Sequence, residues 1–262
     1  MIRMIRAQLL RLVRRRTVLL TAAGCALFSV VATLTVFSTA QASGSPSRQA
    51  GTTRAALAGA GGGTEAFAVG AAFVGFFVFV IFIALLAGEF SGGTFRAVLT
   101  RNPHRLQVIL GMLIGTLLLA AVAVAVAEAG TLVASLLVAP TKDIPTADWF
   151  SAGSLVAGLR DYATVLGGVT GWAVFGATLA AVFRIVPLAL GVGFAWAGPI
   201  ENITVQSWAT GYRVFPGQVL ASLIQGGTAE LAIGRAVLST FLHTAAAAAI
   251  TLVVLSRRDV TT

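Results

Sequence analysis

With 57% hydrophobic and 10% charged residues in 262 positions, the chain lacks the polar surface of a soluble domain, which carries roughly 25% charged residues. A bilayer removes that need, so composition excludes a soluble globule. The net charge of +9 does not point to nucleic acid, because the basic residues stand at the ends of apolar runs and not on one patch. Cys25 is the single cysteine, which rules out an intramolecular disulfide and a cysteine-rich metal site.

The chain opens with Arg3, Arg6, Arg11, Arg14, Arg15 and Arg16 ahead of a long apolar run. On a helical wheel Ile2, Ile5, Leu9, Leu12 and Val13 share one face, and Arg3, Arg11 and Arg14 the other. That pattern predicts a helix over 1–16 lying in the cytoplasmic interface, its arginines toward anionic head groups. A basic segment that only sets topology is the alternative. Ala40-Gln41-Ala42 resembles a signal-peptidase site. The run before it is longer than a signal core and more apolar runs follow, so the first span is expected to stay uncleaved.

A transmembrane helix needs about 20 apolar residues. Six runs qualify, at 17–38, 67–87, 106–127, 163–183, 185–203 and 236–255. They define a six-span domain over 17–262. The fourth and fifth are parted only by Arg184 and form a tight hairpin, unless one of them is irregular. Gly167, Gly168, Gly171, Gly176, Gly191 and Gly193 permit close helix packing there. Residues 39–66 are rich in Ser, Gly, Ala and Thr and read as flexible. Residues 128–162 hold an apolar stretch, 129–139, too short to span, followed by Pro140, Asp143, Pro145, Asp148 and Trp149. Residues 204–235 carry Trp208, Phe215-Pro216-Gly217 and a short apolar run, which suits a re-entrant outer hairpin before the last span.

With the N-terminus inside, inner segments hold 12 of the 18 basic residues, against only Glu89 and Asp259. Outer segments hold Arg48, Arg54, Lys142, Arg160, Arg213 and Arg235, balanced by Glu65, Asp143, Asp148, Asp161, Glu201 and Glu230. The positive-inside rule then places both termini in the cytoplasm. The preference for Arg over Lys fits a GC-rich bacterial genome, hence a bacterial cytoplasmic membrane.

Chemical motifs are few. The only lysine, Lys142, follows Thr141 and lies in no Gly-Lys-Ser/Thr loop, so the chain has no ATP site of that kind. No paired acid and base or nucleophile constellation argues for an enzyme. Glu128 ends the third span on the outer side, and His243 lies inside the sixth. Ionisable groups at such depths face protein or water, so either the two line a pathway, or Glu128 sits at the interface and His243 is hydrogen-bonded in the bundle.

Residues 88–105 stand out, reading GEFSGGTFRAVLTRNPHR between the second and third spans. Thr94 can cap a short helix, with Phe95, Val98 and Leu99 as its apolar edge and Pro103 as its stop. This segment resembles the type-2 ABC transporter permeases, which show Glu-aromatic-x-x-Gly-Thr-x-Arg after the second span, then a Pro and a basic residue. Glu89, Phe90, Gly93, Thr94, Arg96, Pro103 and Arg105 match. The layout of the whole chain agrees, but the specific likeness is confined to 89–105. The resemblance implies an all-α integral membrane protein, with 89–105 as the coupling helix that inserts into a cytosolic ABC ATPase subunit. It further implies a second permease copy, identical or not, no cofactor of the chain's own, and ATP bound by the partner. The rival reading is a non-transport scaffold, anchor or immunity protein.

Overall fold

The computed structural model describes residues 2–40, 52–93, 95, 98, 100 and 105–257, with the backbone alone for Val74, Phe76, Arg105 and Ser256. Among these the chain is helical, with no strand. The helices are α1 (Ile2–Leu12), α2 (Arg15–Thr39), α3 (Arg54–Ala58), α4 (Gly62–Ser91), α5 (Arg105–Val138), α6 (Ala152–Phe183) and α7 (Val186–Ala195). After a π turn at Trp196–Ile200 come α8 (Glu201–Ser207), α9 (Gly211–Val214), α10 (Pro216–Ile224) and α11 (Ile233–Arg257). Among the described residues, five helical stretches are long and apolar enough to cross a membrane: Arg15–Thr39, Leu106–Lys142, Ala152–Phe183, Val186–Ser207 and Ile233–Leu255. A sixth candidate, Gly62–Phe73 with Phe77–Ser91, bends by 48° at the intervening break. Gly75 sits in that break, and a Cβ there would meet the Trp172 ring at 2.8 Å and Ile224 at 3.1 Å. Glycines with side chains wedged against them are a recurrent cause of kinks.

Chain direction follows from the contacts. Ser29 Oγ donates to the Ala127 carbonyl at 3.0 Å and Cys25 Sγ lies 3.5 Å from that of Ala123, so α2 and α5 run parallel. Thr64 pairs with Asp161, and Gly176 abuts Phe79 and Ile83, so α4 and α6 run parallel. Thr178 Oγ1 meets the Ala247 carbonyl at 3.1 Å and Thr251 Oγ1 at 2.9 Å, which ties α6 to α11. The core lies where α4, α6 and α10 meet, around Phe79, Ile83, Val169, Trp172, Leu220 and Ile224. A second, smaller core of Val36, Phe37, Leu57, Ile144 and Trp149 caps the opposite end from Glu89.

Several expectations are corrected. The stretch 129–139 is no separate segment, since α5 runs unbroken past Glu128 to Val138. Glutamate is a good helix former, so one charge does not end a helix that can continue beyond the apolar layer. The fourth helix begins at Ala152, 11 residues before its apolar run, with the Ser151 side chain capping the Ser154 amide. Within 39–66, residues 41–51 lie outside the described set. The rest is not loose: α3 is capped by Thr53 and buries Leu57 completely. α1 ends at Leu12, not 16, and the face it turns inward includes Met4 and Gln8, while Ile2 and Val13 are exposed.

The fourth and fifth apolar runs do meet in a tight turn. Arg184 adopts a left-handed conformation (φ 58°), and its amide donates to the Ala180 carbonyl. The fifth run is also irregular. Pro199 lacks the amide an α-helix needs and its ring crowds the preceding turn, and the π turn accommodates it. α10 folds back into the bundle, burying Val219, Leu220, Leu223 and Ile224. Gly168 and Gly171 make room for it: a Cβ at either would collide with the Ile224 or Leu220 side chain.

Candidate functional site

Glu89 lies in the last turn of α4, where the helix dipole disfavours a carboxylate. It is nonetheless buried, 8% exposed, and forms an ion pair with Arg11 of α1. Its second oxygen, Oε2, has no hydrogen-bond partner among the described residues. Phe90 stacks on Phe95 at a centroid distance of 4.7 Å. Phe95 is 2% exposed and Val98 packs on the same core, so these two residues of the apolar edge face into the bundle. Gly93 takes a positive φ of 70°, which ends α4 as only glycine does without strain.

α1 packs along the N-terminal part of α5. A Cβ on Gly111 would stand 2.6 Å from that of Met4, and one on Gly115 would stand 2.9 Å from that of Gln8. Gln8 Nε2 also donates to Thr116 Oγ1 at 3.3 Å. The two glycines thus let α1 approach the α5 backbone, and Arg11 fastens it to α4. Of the motif residues, Glu89, Phe90 and Gly93 come together here. Arg105 opens α5, and Thr94, Arg96 and Pro103 lie outside the described residues.

Glu128 and His243 are not brought to Glu89 or to each other. Glu128 sits at the far end of the bundle, facing Gly158 of α6. His243 Nδ1 lies 2.7 Å from the Ser239 carbonyl and Nε2 2.8 Å from that of Val214, so the ring links α11 to the end of α9. It also lines a cavity of about 360 Å³ that contains Trp172, Trp196 and Glu201.

Two residues escaped the sequence reading. The helical wheel turns Arg11 toward anionic head groups with Arg3 and Arg14, and nothing local marks its partner 78 positions away. By sequence, Glu201 is one of the balancing acids of the outer segments. It is fully buried, and its Oε2 accepts the Gln218 amide at 3.2 Å, at the N-terminus of α10. The available signal was an acid inside an apolar run, together with Pro216-Gly217 opening a short helix nearby.

These helices define the class, a helical protein built to pass through a membrane several times. Comparison with known proteins adds no family, since no family model and no curated protein matches the chain.

Proposed function

We propose that the chain is the membrane-embedded permease subunit of an ATP-driven exporter of the type-2 ABC class. It would act in the bacterial cytoplasmic membrane with a cytosolic ATPase subunit and a second permease copy. The observation that carries the reading is the fastening of Glu89. The residue that opens the 89–105 motif is buried at the end of α4 and paired with α1, which in turn lies on the start of α5. Force applied to that segment by a closing ATPase therefore passes into three helices at once. The six apolar stretches, taken as α2, bent α4, α5, α6, α7–α8 and α11, give the six passes of such a subunit, with both termini on the arginine-rich side. α1 then serves as the interfacial helix and α10 as the re-entrant element, its backbone buried by protein as the bilayer requires.

The test is capture of the tagged chain from native membranes in mild detergent. Recovery of a nucleotide-binding ATPase is expected, with loss of its coupled ATP turnover in Glu89→Gln and Arg11→Ala despite normal membrane assembly. Recovery of no ATPase, together with unchanged growth phenotypes in both variants, overturns the proposal.

A further inference from the structure

At the end of the bundle away from Glu89, α4, α5, α6 and the turn at Ala147–Phe150 enclose an open cavity of about 600 Å³. We propose that this cavity binds a lipophilic organic cation, with the Glu128 carboxylate as its counter-charge. The volume lies inside the range of roughly 300–1,000 Å³ typical of small-molecule sites. Leu132, Leu155 and Leu159 supply apolar wall, and Trp149, Phe150 and Tyr162 supply rings. Among the described residues, Glu128 is the only charged one in the lining.

Every side-chain donor in that lining is committed elsewhere. The Tyr162 hydroxyl donates to the Ala121 carbonyl at 3.3 Å, and Trp149 Nε1 to that of Leu57 at 2.8 Å. Ser151 and Ser154 both donate to the Asp148 carbonyl, at 2.8 and 2.6 Å. Thr64 Oγ1 lies 2.9 Å from Asp161 Oδ2 and 3.2 Å from the Gly61 carbonyl. Glu128 stands within α5, where the neighbouring amides are spent on the helix. Among the described residues, nothing donates to its carboxylate. Two more acids lie close by and keep the potential negative: Asp161, held by Thr64, and Glu65, 3.5 Å from the Thr52 hydroxyl. Arg160 does not line the cavity, and its guanidinium donates to the Gly226 carbonyl at 3.2 Å.

A bare carboxylate in an apolar cavity is costly until a positive group meets it. The chemistry of that group follows from the walls. Among the described residues no three acidic, His or Cys side chains converge as metal ligands, so a compact divalent ion lacks its oxygen cage. A diffuse monovalent cation with an apolar body uses the whole lining, the rings through cation–π attraction and Glu128 through charge.

The test uses the purified full-length chain in detergent with tetraphenylphosphonium, and triphenylphosphine oxide as the neutral analogue, by titration calorimetry. It needs no ATPase, so its outcome is separate from that of the export reading. Saturable binding of tetraphenylphosphonium is expected, well above that of the oxide. Glu128→Gln should weaken it about tenfold or more and leave the oxide unchanged. Ala129→Trp, which places an indole in the cavity, should weaken both, and Asp143→Asn, outside it, neither. Absence of saturable binding to the folded chain, equal binding of the two compounds, or undiminished binding in both Glu128→Gln and Ala129→Trp overturns the proposal.

Discussion

Replacing Arg11 by Met should cost more than the contact itself is worth, because it strands a carboxylate away from water. Two unit charges in contact attract by ~4 kcal/mol at an effective dielectric constant of about 20. The Arg11 side chain is 52% exposed and that of Glu89 only 10%, so water screens one partner while the other has been dehydrated. Hydrogen bonds to charged groups contribute ~1.5–3 kcal/mol net, and the exposure of Arg11 places this one at about 1.5. Glu89 Oε2 already lacks a partner among the described residues, so Arg11→Met should destabilise by ~2 kcal/mol. Glu89→Gln keeps the shape and removes the charge, at a cost of ~1 kcal/mol, since Arg11 can turn to solvent. The double variant should then lose ~2 kcal/mol, well short of the sum, leaving a coupling of ~1 kcal/mol. Denaturant titration of the four detergent-purified proteins, followed by circular dichroism, measures the cycle. Additivity within ~0.3 kcal/mol would refute the claim that this pair fastens α1 to α4.

Gly171→Val should cost ~1–3 kcal/mol in the same titration, because its side chain collides with Leu220 and lifts α10 from α6. Trp149→Phe keeps the cap core but leaves the Leu57 carbonyl without its 2.8 Å hydrogen bond, for a loss of ~1–2 kcal/mol. Thr178→Val should cost only about 0.6 kcal/mol despite removing the contacts to Ala247 and Thr251, because hydroxyl bonds between membrane helices are weak. In a Cys25→Ala background, a cysteine at Ser151 should react with an impermeant maleimide in intact cells and one at Arg14 should not; the reverse pattern would sink the orientation.

What could be read from the sequence was what sequence-local physics controls. The apolar runs mark each candidate span within a few residues of its core, because the hydrophobic length needed to cross lipid is written residue by residue. Helix ends were misplaced wherever a helix leaves the apolar layer. α5 continues for ten residues past Glu128 through AGTLVASLLV, and α6 starts at Ala152, well before Arg160-Asp161, because a charged residue interrupts an apolar run without interrupting the helix. The cap core was invisible for another reason. Leu57 stands in a short alanine-rich stretch, and Ile144 and Trp149 among Pro, Thr and Asp, so none belongs to a periodic run. The candidate site was half legible. The segment at 88–105 stood out by its residues, whereas the Arg11 partner of Glu89 and the burial of Glu201 depend on chain crossings that no window reports.

The carboxylates follow one geometric rule. From Arg105 to Glu128 the rise along α5 is about 34 Å, from Glu65 to Glu89 along α4 about 36 Å, and from Asp161 to Phe183 along α6 about 33 Å. Each matches the hydrocarbon thickness of about 30 Å plus a margin at the interfaces. Glu65, Glu128 and Asp161 therefore lie toward one end of the bundle, and Glu89 with Arg11 toward the other. In the proposed orientation that separation puts the fastened motif and the cavity on opposite sides of the apolar layer. A displacement that begins at Glu89 can reach the cavity only along α4, α5 or α6. On α4 it must cross the bend at Gly75, where the Trp172 ring of α6 and Ile224 of α10 press on the backbone. Two of the three helices that enclose the cavity, α4 and α6, thus meet α10 at the place where α4 departs from straight, and a change in that bend would reshape the cavity without breaking a hydrogen bond within it.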